Sequence, residues 1–206
     1  MLFQPEARRI EQAPLFRKLL TPPGVAFEKG HKGLGVGVFI LNKEGKILIV
    51  KENKTKDITE RKPNEYGVPC ETVQYEENGE MFEEAVLRGL SEELGIPVER
   101  VGKLFRIDPK TCYRGEGMIS NWYSRVFEVH FVGTAADLMT HPVDNEVEIE
   151  GWFNPEELHQ RFPLRNATKT ILASHAPSIL KPGHSKPLMS LSVLGLLRAE
   201  MKVWED

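Results

Sequence analysis

The stretch Gly79 to Ile96 (GEMFEEAVLRGLSEELGI) constrains the chain more than any other, because only a helix sorts its residues into faces. At about 100° per residue, Phe82, Ala85, Val86, Leu90 and Leu94 fall on one side, and Glu84, Arg88 and Glu92 form a stripe on the other. Asn78 is placed to cap the start, Glu80, Glu83 and Glu84 complement the positive end of the dipole, and Gly95 stands where a left-handed residue ends a helix. Arg88 has a carboxylate four residues away in each direction, Glu84 and Glu92. Surface pairs of that kind are worth about 0.3–0.5 kcal/mol each, which accounts for Glu84.

Glu93 resists that account. It projects among Phe82, Val86 and Gly89, where a carboxylate is costly unless a cation or several donors meet it. Either it is a metal ligand, or it lies at the edge of the apolar stripe and reaches solvent. Together with Glu92 it offers oxygen ligands to a hard ion such as Mg²⁺ while leaving positions for water and phosphate.

This run resembles the Nudix box, G x5 E x7 R E U x E E x G U with U a bulky aliphatic residue, through Glu80, Arg88, Leu90, Glu92, Glu93, Gly95 and Ile96. Two positions depart from it: Gln74 replaces the first Gly, and Gly89 replaces the Glu after Arg. In the family that Glu lies one turn before the residue matching Glu93 and shares the metal or acts as base. Gly within a helix also costs about 1 kcal/mol against Ala, so Gly89 leaves the site rebuilt or weakened.

The resemblance extends over Gly33 to Leu158. Leu34 onward (GLGVGVFILN, KEG, KILIVKE) predicts two strands joined by a tight turn at Asn42 to Gly45, like the opening hairpin of the Nudix fold. Lys51 to Tyr66 is a polar run, expected to be a solvated loop. In Tyr66 to Glu80 the family's P G G turn becomes Pro69, Cys70, Glu71 and the segment is longer; Glu71 is expected to be an exposed loop acid, with a replacement carboxylate as the alternative. Strands are predicted at Val101 to Ile107 and Asn121 to Val132, with Phe127, Val129 and Phe131 on one face and His130 an ordinary sheet residue. In Asn145 to Leu158, Glu146, Glu148 and Glu150 alternate along a strand and Asn154 with Pro155 opens a helix.

The expected architecture is therefore α/β (α+β), a Nudix-like α/β/α sandwich with a mixed sheet and a box helix over Gly79–Leu94. Residues 1–32, broken by Pro5, Pro14, Pro22 and Pro23, form an N-terminal arm that packs on the domain or makes a homodimer contact. Residues 33–206 form one domain, including helical stretches at 167–174 and 187–203. With 206 residues, 40% hydrophobic and 28% charged, the chain has the composition of a globular domain, and no apolar run approaches the ~20 residues that span a bilayer. A net charge of −3 gives no electrostatic case for a nucleic-acid polymer. Two cysteines, Cys70 and Cys112, make no disulfide framework, and no secretory leader is evident; a cytoplasmic location is the expectation.

The resemblance implies a Mg²⁺- or Mn²⁺-dependent hydrolase of a small-molecule diphosphate, such as a nucleoside diphosphate derivative. Glu92 and Glu93 would bind metal, Glu80 would contribute directly or through a water, and Arg88 would hold Glu84 or Glu92 in place; of the alternating acids, Glu146 either completes the site or belongs with Glu148 and Glu150 to an ordinary solvated face, the reading preferred from the pattern. A binding or regulatory module is the alternative raised by Gln74 and Gly89. Isopentenyl diphosphate isomerase, a relative, is matched by Cys70, by AVLRGLSEELGI and by Glu146, Val147 and Trp152. It needs acids flanking a later Asn, where Ser120 and Trp122 flank Asn121 here, and its N-terminal metal histidine has no clear match.

Overall fold

The computed structural model describes residues 33–54, 62–75, 79–106, 122–134, 137–138, 145–169 and 171–172. The N-terminal arm, Asn78, Cys112, Ser120, Asn121, most of the polar run after Lys54 and the helix expected at 187–203 lie outside them.

The predicted hairpin forms as β1 (Gly33–Leu41) and β2 (Ile47–Glu52). Asn42 builds its turn: Oδ1 accepts the N–H of Glu44 at 2.9 Å and of Lys46 at 3.0 Å, and Gly45 takes a φ of 77° that glycine adopts without steric cost. Beyond the turn the strands diverge, pairing only at Leu41 and Ile47. The chain after residue 65 enters the gap, with β3 (Tyr66–Gly67) pairing with β2 and β4 (Cys70–Thr72) pairing with β1. Between them the N–H of Val38 donates to the carbonyl of Pro69 at 2.9 Å.

After α1 (Phe82–Leu94) come a short 3₁₀ turn (Val98–Arg100) and the antiparallel pair β5 (Val101–Arg106) and β6 (Trp122–Phe131). β6 lies parallel to β1 from Gly33 opposite Trp122 to Leu41 opposite His130. β7 (Val147–Phe153) pairs with β2, completing a mixed seven-stranded sheet. A 3₁₀ turn (Pro155–Glu157), α2 (Leu158–Arg161) and helical residues at 166–169 and 171–172 follow.

Strand alternation sorts β1 into two cores. Leu34, Val36, Val38 and Ile40 pack with Phe82, Val86, Leu90 and Leu94 of α1, while Phe39 and Leu41 pack with Leu158, Leu164, Ile171 and Leu172. Every residue of β1 is buried, so the sheet is covered on both sides, as the expected α/β/α layering requires. Phe127, Val129 and Phe131 share the α1 side. Among the described residues no helix is long and apolar enough to cross a membrane.

Three local expectations are corrected. The box helix begins at Phe82 rather than Gly79: Gly79 has a φ of 73°, and Met81 is the N-cap. Glu84 does not reach Arg88, because its carboxylate turns back to accept the N–H of Met81 at 2.7 Å, leaving one helical donor fewer unsatisfied. Asn154 stands at the cap before Pro155, but its side-chain amide donates to Glu157 Oε1 at 2.8 Å instead of receiving a backbone N–H. The other end of α1 is as expected, with Gly95 at a φ of 62° donating to Ser91 O at 3.0 Å.

Candidate functional site

Arg88 is the hub of the acidic cluster. Its Nε donates to Glu80 Oε1 at 2.8 Å and its second guanidinium nitrogen to Glu80 Oε2 at 3.2 Å and to the carbonyl of Thr72 at 2.7 Å. The remaining nitrogen donates to Glu92 Oε2 at 3.1 Å and lies 3.6 Å from Glu71 Oε1. Burial alone would lower the Arg88 pKa, but the bond to Glu80, the charges of Glu71 and Glu80 and the bond to Glu92 outweigh it and hold the group above its ordinary value. Arg88 is thus a fixed cation tying α1 to β4 and to the residues leading into the helix.

Glu80 is buried just before the helix, its Oε2 also accepting the N–H of Gln74 at 2.7 Å. Both its oxygens are therefore engaged. Glu92 is held by Arg88 but its side chain is 61% exposed. Glu93 is only 3% exposed, on the face that carries Gly89 and Leu90, so it does not reach solvent from the edge of the stripe. Glu83, assigned to the helix dipole from sequence, is buried too.

Glu146 immediately precedes β7, which lies on the far side of β2 from β3, and its carbonyl accepts the N–H of Asn53 at 2.9 Å. Glu148 and Glu150 are exposed on that strand, a solvated face. Among the described residues no three His, Cys, Asp or Glu side chains stand close enough together, as they are placed, to hold one ion. The structure brings Glu80, Arg88 and Glu92 into one network and leaves Glu146 outside it, at the start of β7.

Glu71 is the largest departure from expectation. It lies within β4, opposite Val36, and its side chain is 17% exposed instead of projecting from a loop. Oε1 accepts the N–H of Thr72 at 2.6 Å. Cys70, its neighbour, is opposite Gly37 and turns to the other face, where Sγ bonds the carbonyl of Val68 at 3.4 Å and lies 3.7 Å from Arg165.

On that second face Arg165 and Glu52 form a buried ion pair that sequence reasoning missed. Arg165 also donates to the carbonyl of Val68, and the hydroxyl of Thr168 accepts the N–H of Val68 at 3.2 Å. His130 is a sheet residue, as expected, with Nε2 2.5 Å from Glu128 Oε1.

A sequence profile described as the NUDIX domain matches residues 31–174, and the chain belongs to that family. No curated protein matches it significantly in sequence. Among solved structures, DR0079 from Deinococcus radiodurans is 18% identical with a TM-score of 0.52, over 69% of this chain and 82% of its own. The Nudix hydrolase RenU of M. smegmatis is 12% identical at 0.52, over 74% and 88%. The NUDIX domain of Shewanella oneidensis NrtR, solved with ADP ribose, is 14% identical at 0.50, over 72% and 88%. These likenesses share the fold.

Proposed function

We propose that this Nudix-type hydrolase holds a divalent cation, Mg²⁺ or Mn²⁺, among the acids of α1 and cleaves a diphosphate linkage in a nucleoside diphosphate derivative or a related small molecule. The observation that carries this reading is the burial of Glu93 on the apolar face of α1, a position whose desolvation cost a bound cation offsets. The donor chemistry fits such an ion, since Glu92 and Glu93 offer hard carboxylate oxygens. When bound, the cation neutralises phosphate charge and lowers the pKa of an attacking water.

The chain's own residues supply order. Glu93 is the fixed ligand, and Glu92, on the exposed side of the helix, is free to turn toward an ion or a water from its bond to Arg88. Arg88 and Glu80 act as positioning residues, locking the approach to α1 against β4. Glu146 is the candidate to complete the site from β7. The ADP ribose bound by the Shewanella domain supports a substrate of that kind.

A ligand-binding module is the second reading, favoured by the lack of a three-donor group among the described residues. The isomerase likeness is not carried forward, because Cys70 and the box acids lie on opposite faces of the sheet.

The test is a mass-spectrometric turnover screen with Mg²⁺ and then Mn²⁺ against nucleotide sugars, ADP-ribose, dinucleoside polyphosphates, nucleoside triphosphates and coenzyme A. Turnover of one class, absent in Glu93→Gln, is the expected result. A folded, metal-loaded protein that turns over none of them decides for the binding module.

A further inference from the structure

The side chain packed most closely on Gly89 is that of Glu71. A Cβ built on it would lie 3.1 Å from both Cβ and Cγ of Glu71 and 3.5 Å from Glu71 Oε2. Real Cβ atoms are rarely that close to carbon, so a larger residue at 89 requires Glu71 to give way by a few tenths of an ångström. The side chain of Glu71 thus lies against the point where a side chain leaving α1 at position 89 would begin, with its carboxylate Oε2 in van der Waals reach.

Position 89 is one helical turn from Glu93, so side chains leaving those two positions are neighbours, with Cβ atoms about 5–6 Å apart. Oε1 of Glu71 is anchored by the N–H of Thr72, whereas Oε2 faces the helix and, among the described residues, accepts no hydrogen bond. The departure at Glu71, in the turn before the box, and the departure at Gly89, inside it, therefore meet in space. The chain carries Glu where the resembling pattern has a glycine before the helix, and glycine where it has Glu inside it.

We infer that Glu71 is the carboxylate partner of Glu93, delivered from β4 across the gap that Gly89 leaves, and that it ligates the same divalent cation. This inference rests on the metal-dependent reading above and names a residue that reading does not use. It also turns Gly89 from a defect into a requirement, because the helix must be bare there for the strand to supply the acid.

The test is calorimetric titration of the metal-free protein with Mn²⁺, with thermal melts of every variant in the absence of metal. Glu71→Gln keeps the shape and the acceptor for Thr72, and is expected to weaken Mn²⁺ binding by about tenfold or more with an unchanged metal-free melt. Gly89→Glu alone is expected to lower the metal-free midpoint, and adding Glu71→Gly is expected to restore it and recover Mn²⁺ affinity. If wild type binds Mn²⁺, Glu93→Gln abolishes binding and Glu71→Gln binds as wild type, this inference is overturned and the metal-dependent reading stands. If wild type binds no Mn²⁺, both fall.

Discussion

Arg165 reaches back across the chain to Glu52, and the two charges meet in the core with the carbonyl of Val68 as a further acceptor. Such a pair is stable only as a pair, since either charge alone would be stranded away from water. Glu52→Gln should therefore cost about 3–5 kcal/mol, seen as a lowered midpoint in urea denaturation. A loss near zero would mean that solvent reaches Arg165.

Gly67 is packed under the same pair. An added Cβ would fall 2.4 Å from Thr168 Oγ1 and 2.5 Å from Arg165 Nε, both on side chains held by their own hydrogen bonds and unable to swing aside. Gly67→Ala should destabilise by about 1–3 kcal/mol or more, measured the same way.

Arg88→Lys should be a severe change despite keeping the charge. An ammonium cannot span both oxygens of Glu80, the Thr72 carbonyl and Glu92 at once. The expected loss is about 2 kcal/mol, with weaker Mn²⁺ binding in calorimetry as Glu80 and Glu92 lose their common anchor.

Gly95→Ala places a Cβ on a residue whose φ is 62°, at a cost of about 1–2 kcal/mol. Gly95→Asn should lose less, because Asn tolerates this conformation, and comparing the two melts checks that the backbone rather than packing sets the cost.

Asp137 gives a pH signature. The backbone N–H of Thr134, then its hydroxyl, hold the carboxylate below its ordinary range against the effect of burial, with help from Arg100. A depressed pKa contributes stability above the unfolded value, about 3.9, that disappears as pH falls through the folded value. The melting difference between wild type and Asp137→Asn should hold near neutrality, begin to shrink below about pH 4 and vanish only once pH has passed below the depressed folded value.

The sequence made the helix face, the Asn42 turn, β5 to β7 and the Gly95 stop legible because each is set by residues close together in the chain. It placed the helix start too early, since Gly79 and Met81 settle that end through backbone conformation rather than through a recognisable cap. Glu93 could be narrowed to two readings but not chosen between, because its burial depends on what β1 and β4 lay against α1. Glu52 and Arg165 carried no local signal at all, lying 113 residues apart. For Glu71 the signal existed: the pattern departs at 71 and at 89 in opposite senses, and only their contact in space joins the two.

Along one edge β1 meets Ile47 and then β4, at Gly35 to Gly37, whereas its other edge pairs over its full length with β6, from Trp122 onward. During synthesis this strand, buried along its whole length in the folded protein, must therefore wait with one edge unpaired until β6 has been made. Long-range parallel pairing of this kind closes large loops before any contact repays them, which slows folding and leaves intermediates adhesive. The glycines at 33, 35 and 37 lie in the half of that strand farthest from the turn, where they keep the waiting segment less hydrophobic than its aliphatic second half.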